Sequence, residues 1–564
     1  MILSNGRIYT LDAHDRVVDT LVVRAGRVVF AGRRRDLNAP AGEPEIDLGG
    51  RAVLPGLVDA HGHLMYLARL RLTLDVAGLA SEADCAERVA ARASTAPAGE
   101  WIAGRGWDQN RWPGARFPTR ASLDRAAPGH PVALVRVDGH AIWANSAALR
   151  LAGIDRRTPD PPGGRLERDA AGEPTGVLVD TAQELIRRVE PRTAPAQQEA
   201  SIKAAVADCL AVGLTGVHEM GADLDALVAY RRLEAASAFP FRNHVALRGA
   251  DAAAWQAALD EGPAGGPDDR VRVGAVKLMA DGALGSRGAA LHAPYCDDPD
   301  NRGLLLLPFD ELEARARAAA LRGFQVCVHA IGDRANTLVL DALESVLRAA
   351  RAPAAAAWRP SPERTRAIEV EHAQILAETD IPRFRALGVL PSMQPTHCTS
   401  DMPWADARLG VERLAGAYPW RSLLRAGTVI AGGSDFPVEL PNPFHGIHAA
   451  VTRRPRAGPD PGWQPEQRMT RAEAVRAFTL WNAFAAHQET VLGTLEPGKW
   501  ADLVVCSADV FECPGDGDRV DRARPDAHRG RGRPRSESGG WSGLTGPGDA
   551  AAAGGGDALA ALSP

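Results

Sequence analysis

Short apolar runs alternate with longer stretches rich in alanine, leucine and arginine from residue 53 onward. The apolar runs are typical of buried β-strands, and the longer stretches are typical of helices. Alternation of strand and helix predicts an α/β fold with a parallel sheet, and eight strands over such a length predict a closed (β/α)8 TIM barrel. The predicted strands are 53–63, 214–220, 241–249, 271–282, 324–333, 368–374, 389–395 and 429–435.

An open, doubly wound sheet is the alternative architecture, and the sequence disfavours it because no GxGxxG segment follows the first strand. The interval 64–210 between the first two strands is far longer than a βα connection, so it predicts an insertion with structure of its own. An insertion that follows the C-terminal end of a barrel strand would lie over the barrel mouth. We therefore expect 64–210 to be a lid or substrate-pocket subdomain.

The two ends of the chain have a different pattern. Residues 1–52 hold short alternating runs separated by glycine and aspartate, and residues 495–511 return to β character. We predict that 1–52 and 495–513 form a small β-sandwich domain beside the barrel of 53–494. Residues 514–564 are rich in glycine, arginine, proline and alanine, which predicts either a disordered tail or translation of a GC-rich gene in a shifted frame.

The amino-acid composition limits which binding partners and which cellular compartment we expect. Hydrophobic residues make up 45% and charged residues 24% of the 564 positions, as in soluble globular proteins. A formal net charge of -5 favours neither nucleic acid nor a membrane surface as partner, and no segment resembles a secretory signal or a bilayer span. Seven cysteines without a CxxC spacing argue against disulfides or a thiolate zinc site. We expect a cytoplasmic protein that binds a small molecule, with a homo-oligomer left open.

Metal-ligating side chains fall at the C-terminal ends of the predicted barrel strands, where barrel active sites lie. His61 and His63 are two residues apart on the first strand, so both imidazoles point to one face and can bind one ion. His329, His372 and Asp435 lie on the fifth, sixth and eighth strands. Imidazole and carboxylate groups suit Zn²⁺ or a similar divalent ion, and this set could hold two ions if an anionic group bridged them.

Lys277, in the middle of the fourth strand, is the candidate for that bridge. It is one of only three lysines, with Lys203 and Lys499, in a chain with 65 basic residues. A buried ammonium beside dications would be penalised, and the neutral amine can add carbon dioxide to form an anionic carbamate, which arginine cannot do. The alternative is a structural ion pair of Lys277 with Asp281 or Glu219. The coincidence of ligands on five strands favours two Zn²⁺ ions bridged by carboxylated Lys277.

Other polar residues are weaker candidates. A single histidine on a strand is more often a hydrogen-bonded core residue, so we do not expect His218, His244 or His397 to bind metal. Asp281 and Arg287 follow the fourth strand, where they could bind substrate or orient the carbamate. A turn-stabilising ion pair is the alternative.

The insertion supplies two further candidates for substrate binding. His140, in a polar cluster with Asp138 and Asn145, either faces the barrel mouth or belongs to a turn and capping cluster. Trp107 is one of three tryptophans that either form an aromatic wall for an apolar substrate group or make up the core of the insertion. The other two are Trp112 and Trp143.

Resemblance to the amidohydrolase superfamily, in its family-3 branch with N-substituted formamide deformylase-like proteins, is carried by PGLVDAHGHL, VKLMADGALGSRGAAL, CVHAIGD, EVEHAQ, QPTHCTSDMPWADARLG, GGSDFPVE and LEPGKWADLVV. It covers about residues 1–511, whereas relatives usually continue with a final pair of strands that the tail does not resemble. The resemblance implies an alpha metal on His61, His63 and Asp435. It implies a beta metal on His329 and His372, with carboxylated Lys277 as the bridge.

The function implied is hydrolysis of a non-peptide carbon–nitrogen bond, in an amide or a formamide, by a metal-activated hydroxide. Asp435 would serve both as metal ligand and as the catalytic group that shuttles the proton to the leaving amine. A superfamily deaminase is one alternative, although such enzymes usually carry His-x-x-Glu after the fifth strand where this chain has HAIGD. A non-catalytic regulator on the same fold is the other, and the intact ligand set disfavours it.

Overall fold

A computed structural model describes residues 1–38, 42–137, 139, 141–191, 193–351, 368–455, 462–513 and 558–562. The strands, numbered along the chain, are β1 (Ile2–Ser4), β2 (Arg7–Tyr9), β3 (Val17–Val18), β4 (Thr20–Arg24), β5 (Arg27–Gly32), β6 (Glu45–Asp47), β7 (Ala52–Pro55), β8 (Leu57–Gly62), β9 (Leu74–Asp75), β10 (Ile102–Trp107), β11 (Val132–Arg136), β12 (Ala141–Ala144), β13 (Gly164–Arg168), β14 (Pro174–Asp180), β15 (Leu214–Ala222), β16 (Arg242–Arg248), β17 (Val271–Met279), β18 (Gln325–Ala330), β19 (Ile368–His372), β20 (Leu390–Met393), β21 (Ala431–Gly432), β22 (Leu503–Cys506) and β23 (Ala558–Leu562).

The α-helices, numbered in the same way, are α1 (Leu64–Leu70), α2 (Glu82–Ala93), α3 (Arg120–Ala126), α4 (Ser146–Leu151), α5 (Glu184–Arg187), α6 (Pro195–Ala211), α7 (Leu224–Ala235), α8 (Ala252–Glu261), α9 (Phe309–Leu321), α10 (Asp333–Arg351), α11 (Ile381–Leu387), α12 (Pro395–Leu409), α13 (Trp420–Arg425), α14 (Pro443–Thr452), α15 (Arg471–Ala477) and α16 (Leu480–Ala485). Within the described ranges, none of these helices has the length and apolar character needed to cross a bilayer.

Eight strands form one parallel sheet, in the order β8-β15-β16-β17-β18-β19-β20-β21. The first and last strands meet through a parallel bridge between Gly62 and Phe436 and a hydrogen bond of 2.6 Å from the Asp435 N–H to the His61 carbonyl. A Cβ at position 62 would lie 2.3 Å from the Phe436 ring, so the closure requires glycine there. The predicted (β/α)8 barrel is confirmed, with each of its eight strands at the expected place.

The first predicted strand, 53–63, is two strands of different sheets. β7 belongs to a five-stranded sheet in the order β23-β22-β7-β2-β3, and β8 begins the barrel. Gly56 separates them, and a Cβ there would lie 2.3 Å from the Thr215 hydroxyl oxygen and 2.9 Å from the Asp502 Cβ. The apolar run continues through both strands because each is buried, and the pattern alone does not show where the chain changes sheet.

A second small sheet, in the order β5-β4-β1-β6, shares a hydrophobic core with the five-stranded sheet. Leu3 and Leu21 come from the four-stranded sheet, and Ile8, Val53 and Leu503 come from the five-stranded sheet. All five side chains are 1% exposed or less. Both ends of the chain therefore build one β-sandwich, as sandwiches pack the inner faces of two sheets together.

Within the predicted tail, Ala558–Leu562 form a strand that pairs antiparallel with β22. The edge of β22 offers backbone groups with which this further strand pairs. Whether 514–564 are a disordered tail or a frameshift product stays a prediction. Residues 514–557 and 563–564 lie outside the described residues.

The described chain divides into two compact units, one of Met1–Leu64 with Val206–Pro564 and one of Met65–Ala205. The second unit has a six-stranded sheet in the order β13-β14-β12-β11-β10-β9 and two hydrophobic clusters of its own. It corresponds to the stretch that the sequence predicts as an insertion, and its role as a lid remains a prediction.

A buried ion pair joins β16 to the segment that enters β22. The Arg242 guanidinium binds both carboxylate oxygens of Asp502, and the two side chains are 7% and 4% exposed. The Asp502→Ala variant should lose about 3–5 kcal/mol of unfolding free energy, because it leaves a buried guanidinium without its partner. Urea denaturation measures the change, with Asp341→Ala, which removes an exposed partner of Arg383, as the control. Equal stability of the two variants would contradict this account.

Candidate metal centre

The predicted ligands converge at the C-terminal ends of the barrel strands. Nε2 of His63 lies 3.0 Å and Nε2 of His61 lies 3.6 Å from Oδ1 of Asp435. The rings of His61 and His372 are 4.6 Å apart between centroids, and those of His372 and His329 are 4.5 Å apart. His61, His372 and Asp435 each bring a ligand atom within 4.8 Å of the others. Side chains from β8, β18 and β19 and from the loop after β21 thus surround one small volume.

Two of these residues have a left-handed backbone, with φ of +73° at His372 and +59° at Asp435. Regular alternation along β19 would turn neighbouring side chains to opposite faces. Glu371 nevertheless reaches His61, and His372 reaches His329. The positive φ at His372 breaks the alternation, so that two consecutive side chains serve the same centre. Such conformations cost about 1–3 kcal/mol each and concentrate at functional sites.

Lys277 lies in β17 and is 7% exposed. Its Nζ makes no hydrogen bond or ion pair within the described part of the chain. Asp281 instead accepts three backbone N–H groups, and Glu219 accepts from the Leu64 N–H and the Tyr230 hydroxyl. The alternative of an ion pair with either carboxylate is therefore wrong. Burial lowers the pKa of the Lys277 amine and so favours its neutral form.

Burial also favours the neutral forms of the His61, His329 and His372 imidazoles. It lowers the pKa of His329 to about 3 and holds the pKa values of His61 and His372 well below the ordinary value. Burial alone would raise the pKa of Asp435, but the neighbouring imidazoles of His61 and His63 keep it below its usual value. Neutral imidazoles beside a carboxylate are the protonation states that a divalent cation requires of its ligands.

Glu371 and Gln394, which the sequence analysis missed, contact two of the imidazoles on the side remote from the centre. Oε2 of Glu371 is 2.5 Å from Nδ1 of His61, and Oε1 of Gln394 is 2.8 Å from Nδ1 of His372. Each contact occupies the ring nitrogen remote from the centre and leaves Nε2 to act as ligand. The signal in the sequence is adjacency, since Glu371 precedes His372 in EVEHAQ and Gln394 directly follows β20.

His397 is nearer the centre than expected. Its Nε2 is 3.7 Å from Oδ2 of Asp435, and its ring lies 5.9 Å from that of His372. His397 lies in the first turn of α12, directly after β20. In the sequence analysis it is treated as a single histidine on a strand, and this turn is not considered. His218 and His244 pack against each other with ring centroids 5.3 Å apart.

A divalent metal fits this set of side chains. Nε2 of His329, Nε2 of His397 and Nζ of Lys277 are buried and make no hydrogen bond within the described residues. Buried polar atoms are normally paired, so their convergence indicates a bound group that accepts lone pairs. Nitrogen and carboxylate oxygen ligands are those that suit zinc and similar ions.

Asp281 and Arg287 have different contacts. Asp281 is fully buried, accepts the backbone N–H groups of Ala290, Ile331 and Gly332, and has its Oδ1 3.5 Å from Nε2 of His329. Arg287 forms an ion pair with Asp297 at 3.0 Å, a contact of the kind that the turn-stabilising alternative describes. The roles of Asp281 and Arg287 in binding substrate or orienting the carbamate stay predictions.

In the second unit, Trp107 is fully buried in a cluster of aromatic rings whose centroids are 6.0–6.3 Å apart. The cluster contains Trp107, Trp112 and Trp143, and it forms part of the unit's own core. Asn145 caps α4 by accepting the Ala148 N–H. His140 and Asp138 lie outside the described residues, so their predicted roles stay predictions.

Comparison with known proteins gives one family and several relatives. Residues 44–530 match a family described as the amidohydrolase family. The putative amidohydrolase YtcJ of Bacillus subtilis (strain 168) is 35% identical over 90% of this chain and 94% of its own. The N-substituted formamide deformylase of Arthrobacter pascens is 29% identical over 91% of this chain and 94% of its own.

A solved structure with a similar fold is an uncharacterized metal-dependent hydrolase from Pyrococcus furiosus. It is 29% identical, with a TM-score of 0.74 over 91% of this chain and 99% of that chain.

Replacing Glu371 tests how the centre is held. The Glu371→Ala variant should bind zinc roughly 10- to 100-fold more weakly, because the His61 ring loses the partner that orients it. Competition with a chromophoric chelator measures the affinity, and Glu344→Ala, on the outer helix α10, is the control. Unchanged affinity in a folded Glu371→Ala protein would show that His61 is held by other contacts.

Proposed function

The chain belongs to the amidohydrolase family, and from that premise we propose that it is a metal-dependent hydrolase of a non-peptide carbon–nitrogen bond, in an amide or a formamide. The observation that carries the proposal is the convergence of four imidazoles, the Asp435 carboxylate and the unpaired Lys277 amine at one end of the barrel. The similarity to an N-substituted formamide deformylase and to a metal-dependent hydrolase supports this reaction class.

We infer two Zn²⁺ ions as the resident cofactor. One would be held by His61, His63 and Asp435, and the other by His329 and His372. When bound, such ions polarise the substrate carbonyl and make water acidic enough to attack at neutral pH. His397, close to Asp435, is available either as a further ligand or as a hydrogen-bond donor to substrate.

Carboxylation of Lys277 supplies the bridging anion. The neutral amine nitrogen forms a bond to the carbon of carbon dioxide, one C=O electron pair moves to oxygen, and the nitrogen loses a proton to solvent. The resulting carbamate would offer two anionic oxygen atoms as metal ligands. The proposal explains why a buried amine without a protein partner lies among metal ligands.

Asp435 is the proposed proton carrier. Its backbone N–H binds the His61 carbonyl, which holds the carboxylate beside both first-strand imidazoles. In that position it can accept the proton of the attacking water and pass it to the amine nitrogen as the carbon–nitrogen bond breaks. The barrel wall around it is buried, so few solvent molecules compete for that proton.

Replacing Lys277 tests the bridge. Lys277→Ala and Lys277→Arg should retain at most one metal per chain and lose hydrolysis, because neither side chain forms a carbamate. Metal content is measured by mass spectrometry of the purified proteins, and carboxylation by incorporation of ¹³C-labelled carbon dioxide. Added short carboxylates should restore part of the Lys277→Ala activity and none of the Lys277→Arg activity. Two bound ions in Lys277→Arg would refute the bridge.

The reaction class is tested with zinc-reconstituted protein. We expect hydrolysis of N-benzylformamide or of other members of a panel of formamides, N-acyl amines and N-acyl amino acids. Asp435→Asn should lower kcat by roughly 10²- to 10⁴-fold, because the proton carrier is lost. Release of the amine is followed by fluorescent derivatisation. A metal-loaded protein that cleaves no member of the panel would sink the proposal.

A further inference from the structure

Arg248 is the last residue of β16 and lies at the mouth of the barrel. Its Cα pairs in register with that of Lys277, and residues paired in this way on neighbouring parallel strands project from the same face of the sheet. Two positions earlier, Ala246 packs with Met220 and Cys327 in a cluster of buried side chains from four adjacent barrel strands. That face is the barrel interior, so Arg248 is directed to the same side as the metal ligands.

Arg248 forms no ion pair with a carboxylate among the described residues. Its single hydrogen bond within the described residues runs from Nε to the Gly221 carbonyl, at 3.1 Å, and the residue is exposed. Other arginines near the same rim are paired, since Arg287 binds Asp297 and Arg315 binds Glu311. A guanidinium that the protein leaves unneutralised at the mouth attracts anions.

The bond to Gly221 also fixes the direction of the guanidinium. Gly221 has a φ of +113°, and the register of β15 against β16 shifts between Met220 and Ala222, which brings the Gly221 carbonyl to Nε of Arg248. Both Nη groups of Arg248 remain available to bind another molecule. Two parallel N–H groups on one planar fork match the two oxygens of a carboxylate.

The position of β16 relates this fork to the proposed reaction. β16 lies between β17, which carries Lys277, and β15, which pairs in turn with the strand of His61. A substrate whose scissile bond lies at the metal ligands could therefore extend a second group along the interior face towards Arg248. The guanidinium of Arg248 determines which chemical group can bind there.

We propose that Arg248 binds a carboxylate of the substrate, so that the substrates of this enzyme are N-formyl or N-acyl amino acids rather than neutral N-alkyl amides. This inference rests on the proposed amide or formamide hydrolysis. It concerns selection between substrates and assigns Arg248 no part in breaking the bond.

The test uses two substrates that differ only in the carboxylate, N-formylphenylalanine in both enantiomers and N-formyl-2-phenylethylamine. Wild-type protein should have the higher kcat/KM for the acid. Arg248→Gln should lower kcat/KM for the acid roughly 10- to 100-fold, mainly through KM, and leave that for the neutral formamide unchanged, because only one charge-assisted contact is lost. Arg248→Lys should restore part of the loss. Arg348→Gln, an exposed arginine on α10 paired with Glu344, is the control and should alter neither value.

Binding of 3-phenylpropionate, measured by calorimetry against 3-phenylpropanamide, gives a readout that does not depend on turnover. If the protein hydrolyses neither formamide but binds the acid only with Arg248 present, the subsite stands and the proposed function fails for formamides. If it hydrolyses substrates of the panel while turnover and acid binding are indifferent to Arg248, the subsite is overturned and the function stands. Equal losses on both substrates would also overturn it, because they indicate a structural role.

Discussion

The closure of the barrel between β8 and the segment after β21 is the constraint on which the centre depends. Asp59, fully buried, accepts the backbone N–H groups of His61 and Ser434 and the Ser434 hydroxyl. Asn482 binds backbone groups of both strands, and the Asp435 N–H binds the His61 carbonyl. Without these contacts two ligands from the two ends of the barrel would not share one volume. The closure thus converts residues more than 370 positions apart into neighbours.

Assembling the centre costs folding free energy, and burial elsewhere in the fold offsets it. The centre buries several polar atoms that have no hydrogen-bond partner within the described residues, and it holds His372 and Asp435 in left-handed backbone conformations. Desolvation penalises the charged forms here, which lowers the pKa values of the His61 imidazole and of the Lys277 amine. A large apolar core and a β-sandwich that joins both chain ends offset these penalties. A bound cation would satisfy the same atoms and stabilise the fold further.

Much of the fold and the core of the site were predictable because they depend on local patterns. Strand burial produces apolar runs, barrel topology places strand ends together, and a spacing of two aligns His61 with His63. Local patterns do not indicate contacts between side chains that are far apart in the chain. Asp281 accepts three backbone N–H groups of other loops, which its position after the fourth strand does not indicate. His397 was set aside, yet the turn into α12 brings it to Asp435.

The sequence by itself determined the class of fold, the set of candidate ligands and the singular lysine, because residue type and periodicity are properties of the chain alone. Only the tertiary structure decided which carboxylates accept backbone N–H groups and which face the centre. It also decided that Glu371 and Gln394 bind the imidazoles, and that Arg248 bonds to the Gly221 carbonyl. The physical reason is that hydrogen bonding and desolvation depend on distances between residues far apart in the chain, and these exist only after the strands have closed.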